Sequence, residues 1–295
     1  MGSEIRVALI GLDTSHSIEF TRRLQDPECP AEQKVEGMRV VSCLRFSTPF
    51  QSEEGLDNRQ KQLESWGVKV VTDFNEAVAD CDAIMLEIND PAYHLEYFMK
   101  CADLGKPMFV DKPLADSIEN GKLMCKVAKE KGIRMFSSSS LRFASEFMTA
   151  LGSIPNAKFA SIYGPLGAAP AGSAVIWYGV HAFEMLQRAM GRGATGVFAR
   201  RDKAGVVAVV EYEDNRRGVV ELTDEAYFYG GCLRDEEKGI SYSVDAGAIY
   251  SVELRMIVNF FKGGIAPVTL EDTLEVMAML DAADRSTSSG KLEAL

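Results

Sequence analysis

Over the first 137 residues short apolar runs alternate with stretches of helical spacing. Strand-like runs fall at 5–10, 38–46, 68–71, 82–88, 107–110 and 133–136. Between them the spacing predicts helices at 15–25, 57–66, 73–79, 92–104 and 117–131. Gly67, Gly105 and Gly132 stand where three of these helices must stop. Strand and helix in strict alternation predict a parallel sheet covered by helices on both faces.

The rhythm changes after the polar break at 137–140. A strand is expected at 157–163, a Gly/Ala/Pro loop at 164–173 and a helix at 178–190. Then strand-like runs follow without helices between them, at 197–201, 206–212, 218–222, 226–233 and 240–244. Such a succession predicts an antiparallel sheet. Two helices close the chain, the last starting at Thr269 with Asp272 three residues on, in the manner of a capping box. The expected fold is therefore α/β. A Rossmann-type doubly wound parallel sheet over 1–138 precedes an α+β domain with a mostly antiparallel sheet over 139–295.

A chain of 295 residues has room for both domains. Its net charge of −11 argues against nucleic acid and anionic membranes as partners. No apolar run is long enough to span a bilayer, and the chain enters a strand almost at once, which argues against a secretory signal. The six cysteines are scattered and form no Cys-x-x-Cys pair, as expected of reduced thiols in a cytoplasmic protein.

The candidate chemistry lies at strand ends. Val110 is followed by Asp111-Lys112-Pro113, which puts a lysine at the carboxyl end of a late parallel strand, where open α/β sheets bind ligands. The first strand runs into Gly11-Leu12-Asp13-Thr14-Ser15-His16. A dinucleotide fingerprint has glycine where this chain has Asp13 and His16. A carboxylate at Asp13 repels phosphate and can itself cap the helix, whereas the hydroxyls of Thr14 and Ser15 can donate to a phosphate. Near the end of the second strand stands Arg45, suited to a 2′-phosphate, so it favours NADP over NAD, or else is a solvated strand-end arginine. Glu87 and Asn89 follow the fourth strand, Glu87 as a second site carboxylate or a partner of Lys112. The three histidines, His16, His94 and His181, lack metal-ligand spacing, and no metal is expected.

Four pieces in order resemble the glucose-fructose oxidoreductase / inositol dehydrogenase (Gfo/Idh/MocA) family over nearly the whole chain. They are Val7-Ala8-Leu9-Ile10-Gly11; the helix from His94 to Gly105-Lys106-Pro107; Asp111-Lys112-Pro113, similar to a Glu-Lys-Pro motif; and Gly179-Val180-His181, similar to a Gly-x-His motif. The resemblance implies an NAD(P)-dependent oxidoreductase acting on a sugar, cyclitol or other polyhydroxylated small molecule, and a homodimer or homotetramer. It implies Lys112 and His181 as the proton-handling pair, with Pro113 fixing the loop, if need be through a cis bond. It also implies a cofactor site of Gly11, Asp13, Thr14, Ser15, His16, Arg45, Asn89, His94 and Asp111. Trp177 stands where the family has an aspartate. With Tyr178 it is expected to wall the substrate. Arg142 is expected either to clamp a substrate anion or to form an interdomain salt bridge. Asp13 and Trp177 leave open a non-redox enzyme (lyase, epimerase or hydrolase) or a non-catalytic sugar- or nucleotide-binding protein on the same scaffold.

Overall fold

A computed structural model of the chain describes residues 4–295. It divides into two compact units. The first takes the chain up to Ala115, then Asn120–Ser137 and Tyr250–Thr269; the second takes Asp116–Glu119, Ser138–Ile249 and Leu270–Leu295.

In the first unit β1 (Ile5–Ile10), α1 (His16–Gln25), β2 (Met38–Leu44), α2 (Glu53–Ser65), β3 (Lys69–Val71) and α3 (Phe74–Val78) come first. They are followed by β4 (Ala83–Leu86), α4 (His94–Ala102), β5 (Met108–Val110), α5 (Ile118–Lys131) and β6 (Met135–Ser137). The strands form one parallel sheet in the order β3-β2-β1-β4-β5-β6. Chain order reverses between β1 and β4, so the crevice beyond their carboxyl ends is the ligand position of an open α/β sheet. Helix starts follow the polar residues before them: Ser52 accepts from Gly55 N–H, and Asp73 from Glu76 N–H. The Ser52 cap starts α2 at Glu53, a turn earlier than expected.

The second unit contains α6 (Ser145–Ser153), β7 (Phe159–Pro165), α7 (Ala174–Trp177), α8 (Val180–Met190), β8 (Ala194–Arg201), β9 (Gly205–Tyr212) and β10 (Arg217–Thr223). After these come β11 (Gly230–Arg234), β12 (Gly239–Ser243), α9 (Ile249–Phe261), α10 (Leu270–Ser289) and β13 (Glu293–Ala294). Its sheet has the order β12-β11-β7-β10-β9-β8-β13, antiparallel except where β7 meets β10. The strand expected at 226–233 begins only at Gly230, and Tyr227 and Phe228 are exposed. The helix expected at 178–190 is α8, which starts after Gly179, where a Cβ would lie 2.4 Å from the Val175 carbonyl oxygen, and the short α7 precedes it. Among the described residues no helix is long and apolar enough to cross a membrane.

The chain changes units at Ser137/Ser138, but α9, expected with the second domain, returns to the first. Leu254, Ile257, Val258, Phe260 and Phe261 join the core formed by Val7, Leu9, Phe20, Met85, Phe109 and Phe136. Edge-to-face contacts run from Phe20 to Phe109 and from Phe136 to Phe260, with Phe109 tilted on Phe136 between them. Hydrophobic periodicity marks α9 as amphipathic; it cannot say which sheet receives its apolar face. Ile257→Ala, at a site with no solvent exposure, is expected to lower stability by about 2–5 kcal/mol in urea unfolding. A loss below about 1 kcal/mol would mean that α9 is not part of this core.

Candidate functional site

The register of the parallel sheet sets the ends of three strands side by side. Past the last paired residues, Glu87 N–H donates to the Ile10 carbonyl (2.9 Å) and Asp111 N–H to the Leu86 carbonyl (2.9 Å). Gly11 has φ 110°, and a Cβ there would lie 2.3 Å from the Glu87 carbonyl oxygen. Glycine is required so that β1 can turn this close to β4.

Glu87 and Asp111 therefore emerge as neighbours, and the first residue of α1, His16, meets them. His16 Nδ1 lies 2.9 Å from Asp111 Oδ2, but neither atom is aligned for a hydrogen bond. All three side chains are buried, and one ligand atom from each lies within 4.8 Å of the others. Burial raises the Glu87 pKa well above the usual carboxylate range, reinforced by Asp111 and Glu253 and opposed by Lys112. Burial also acts to raise Asp111, but His16 and Lys112 prevail and bring it down to about 2. Asp111 Oδ1 accepts the Lys112 N–H (2.8 Å), and the peptide bond from Lys112 to Pro113 is cis. Lys112 is buried at the strand end, and its ammonium has no hydrogen-bond partner among the described residues.

The glycine-motif loop is closed by the residue that breaks it. Asp13 Oδ1 accepts from Asn89 N–H (2.8 Å), and Oδ2 from the Thr48 hydroxyl (2.7 Å) and Asp90 N–H (3.3 Å). Asp13 thus ties the loops after β1, β2 and β4 together and does not cap α1, contrary to the expectation for a carboxylate at this position. At the helix start the exposed Ser15 is the N-cap residue and forms no side-chain cap, while Thr14 Oγ1 accepts from His16 N–H (3.2 Å).

Two more expected cofactor residues have other occupations. His94 is fully buried between the carbonyl oxygens of Ile88 (2.7 Å) and Leu114 (3.2 Å), stapling the loops after β4 and β5. Arg45 is held by Glu53 (2.9 Å), Asp57 (2.7 Å) and Gln60 (2.7 Å) of α2. A 2′-phosphate at Arg45 would have to compete with two carboxylates.

In the second unit His181 lies at the start of α8, and its Nδ1 is 2.7 Å from Ser139 Oγ. Ser139 Oγ also accepts from Leu141 N–H (3.2 Å), which fixes the hydroxyl beside the imidazole. Tyr178 and Tyr229 pack edge-on against the imidazole, at 5.2 and 5.7 Å between centroids. Burial raises the Tyr178 phenol, and a hydrogen bond with Tyr229 opposes the shift. Trp177, half-buried, is tilted on Tyr178 at 5.0 Å. Ser139 and Tyr229 escaped the reading of the sequence, because only folding brings them to His181.

Arg142, expected to clamp a substrate anion or to bridge domains, has its hydrogen-bond partners on α8. It is buried within the second unit. Its Nη1 donates to the Glu184 carboxylate (2.8 Å) and carbonyl (3.0 Å), and Nη2 to Gln187 (2.6 Å). Burial raises the Glu184 pKa, and Arg142 draws it back. The available signal was Glu184 itself, an acid on the apolar stretch of α8 that requires a buried cation. Arg142→Met is expected to cost about 3–5 kcal/mol in chemical unfolding by stranding Glu184, and adding Glu184→Met to restore most of the loss. Equal destabilisation by the single and double variants would rule out a stranded charge as the cause.

Residues 52–139 match the model of a family described as "Oxidoreductase family, NAD-binding Rossmann fold" (GFO_IDH_MocA). Over 96 residues the chain is 28% identical to the "Uncharacterized oxidoreductase YhhX" of Escherichia coli K12, a match covering 32% of this chain and 28% of that protein. Among solved structures, myo-inositol 2-dehydrogenase from Lactobacillus plantarum superposes with a TM-score of 0.81 at 15% identity, over 99% of this chain and 100% of that one. Scyllo-inositol dehydrogenase from Lactobacillus casei, solved with NAD(H) and scyllo-inositol, gives a TM-score of 0.79 at 14% identity, over 99% of both chains. At such identities the likeness is one of fold.

Proposed function

We propose, from the resemblance to the Gfo/Idh/MocA family that residues 52–139 carry in sequence, that the protein is an NAD-dependent oxidoreductase acting on a sugar, cyclitol or similar polyol. The observation that carries this reading is Lys112. Its ammonium is held at the end of β5 beside two buried carboxylates, without a hydrogen-bond partner among the described residues, at the edge where an open α/β sheet takes its ligand.

The residues of the first unit suit a dinucleotide. Asp13, the expected obstacle, has its charge absorbed by two main-chain N–H groups and a hydroxyl. The N-cap residue of α1, Ser15, makes no side-chain cap, so the helix start can face a pyrophosphate. With Arg45 already neutralised, Glu53 and Asp57 suit ribose hydroxyls better than a 2′-phosphate. The preference is therefore for NAD, opposite to the preference drawn from Arg45 in the sequence.

The nicotinamide, when bound, supplies a hydride acceptor. What remains for the chain is to orient the alcohol and move its hydroxyl proton. Lys112 donates to the substrate oxygen and relays that proton. His181, steadied by Ser139, serves as a second proton-handling group, with Tyr178 and Trp177 as apolar walls for a sugar ring. With six cysteines and no disulfide among the described residues the chain suits the cytoplasm. The expected assembly is a homodimer or homotetramer. Tyr163, Phe198 and Val207 give the second sheet an exposed apolar face for it, and light scattering is expected to give a mass of two or four chains.

Thermal shift with NAD⁺, NADH, NADP⁺ and NADPH tests the cofactor. The midpoint is expected to rise with NAD(H) concentration, and less with NADP(H). Lys112→Ala is expected to keep that shift and to abolish turnover across a panel of inositols and sugars. No shift with any dinucleotide, or undiminished turnover in the variant, overturns the reading.

A further inference from the structure

Glu87 has no solvent exposure, and neither oxygen of its carboxylate has a hydrogen-bond partner. A buried carboxylate left so is costly unless a cation or a proton satisfies it. His16 Nδ1 and Asp111 Oδ2 pair with each other at 2.9 Å but meet no aligned hydrogen bond. Three groups, each with an unsatisfied donor atom, thus face one another within 4.8 Å. Two carboxyl groups and an imidazole nitrogen converging in this way form a ligand set for a divalent metal ion.

We propose that His16, Glu87 and Asp111 bind a divalent transition-metal ion of the zinc type. Nitrogen and oxygen ligands about 2.0–2.2 Å from such an ion stand about 3–4 Å apart. The His16–Asp111 pair is already at that spacing. Glu87, with no hydrogen bond to hold its carboxylate, closes the remaining gap by rotation. A divalent ion there would satisfy the Glu87 and Asp111 carboxyl oxygens that have no hydrogen-bond partner. The three ligands stand after β4, after β5 and at the first residue of α1, and are buried. The ion therefore ties two strand ends to the start of a helix. Through Asp111, whose other oxygen accepts the Lys112 N–H, it also sets the position of Lys112. It is a structural and positioning ion, independent of the dinucleotide reading and measurable without dinucleotide.

The test uses the full chain stripped with a chelator and then titrated with Zn²⁺ in a calorimeter, with the bound metal assayed after desalting. One equivalent is expected, with a melting midpoint that rises as Zn²⁺ is added. Glu87→Gln and His16→Asn are each expected to weaken binding at least about tenfold. The stripped wild-type protein is also titrated with Co²⁺, which is expected to develop visible ligand-field bands that saturate at one equivalent and that Zn²⁺ abolishes. That spectrum decides the matter even where a variant fails to fold. Less than a tenth of an equivalent of Zn²⁺, no Co²⁺ bands, or undiminished binding in folded variants overturns the proposal. In that case a proton shared among the three side chains satisfies Glu87.

Discussion

The alignment of strand ends in the first sheet is the constraint on which the rest depends. Parallel register brings the ends of β1, β4 and β5 to one edge, and main-chain hydrogen bonds carry that register to Glu87 and Asp111. Two carboxylates are thereby held close together out of water. A buried pair of carboxyl groups calls for a proton or a cation, and Lys112 and His16 stand beside it.

The surroundings make this arrangement rigid. Asp13 locks the loop after β1 to those after β2 and β4, and His94 locks the loop after β4 to that after β5. From behind, α9 supplies Tyr250, whose ring meets the His16 imidazole edge-on at 5.1 Å, and Phe260, which ends the aromatic series through the core. Arg23, itself buried, stacks on Tyr250 and donates to Ser251. A helix far along the chain thus helps fix the side chain at residue 16. The second unit shows the same economy. Arg142, Glu184 and Gln187 secure α8 to the segment after Ser138, and Ser139 in that segment orients His181.

Much of this was legible in the amino-acid order. Alternating periodicities specify a parallel sheet and then a largely antiparallel one, because they reflect burial on two faces or on one. The position of Lys112 at a strand end follows from the apolar run before it. Less legible were polar residues whose partners are distant in sequence. Asp13 read as a barrier to phosphate because its acceptors' partners, Thr48, Asn89 and Asp90, lie on other loops. Arg45 and Arg142 could be read as anion binders or as structural charges, because a guanidinium advertises its charge but not which carboxylate has already claimed it.

Local sequence thus determined the order and kind of the elements and the positions of Gly11, Lys112 and His181, since each depends on neighbours within a few residues. Tertiary structure alone decided that α9 returns to the first core, that the arginines are spent on internal acids, and that His16, Glu87 and Asp111 converge on one point. Such outcomes depend on distances between residues remote in the chain, and only the register of packed strands and helices sets those distances.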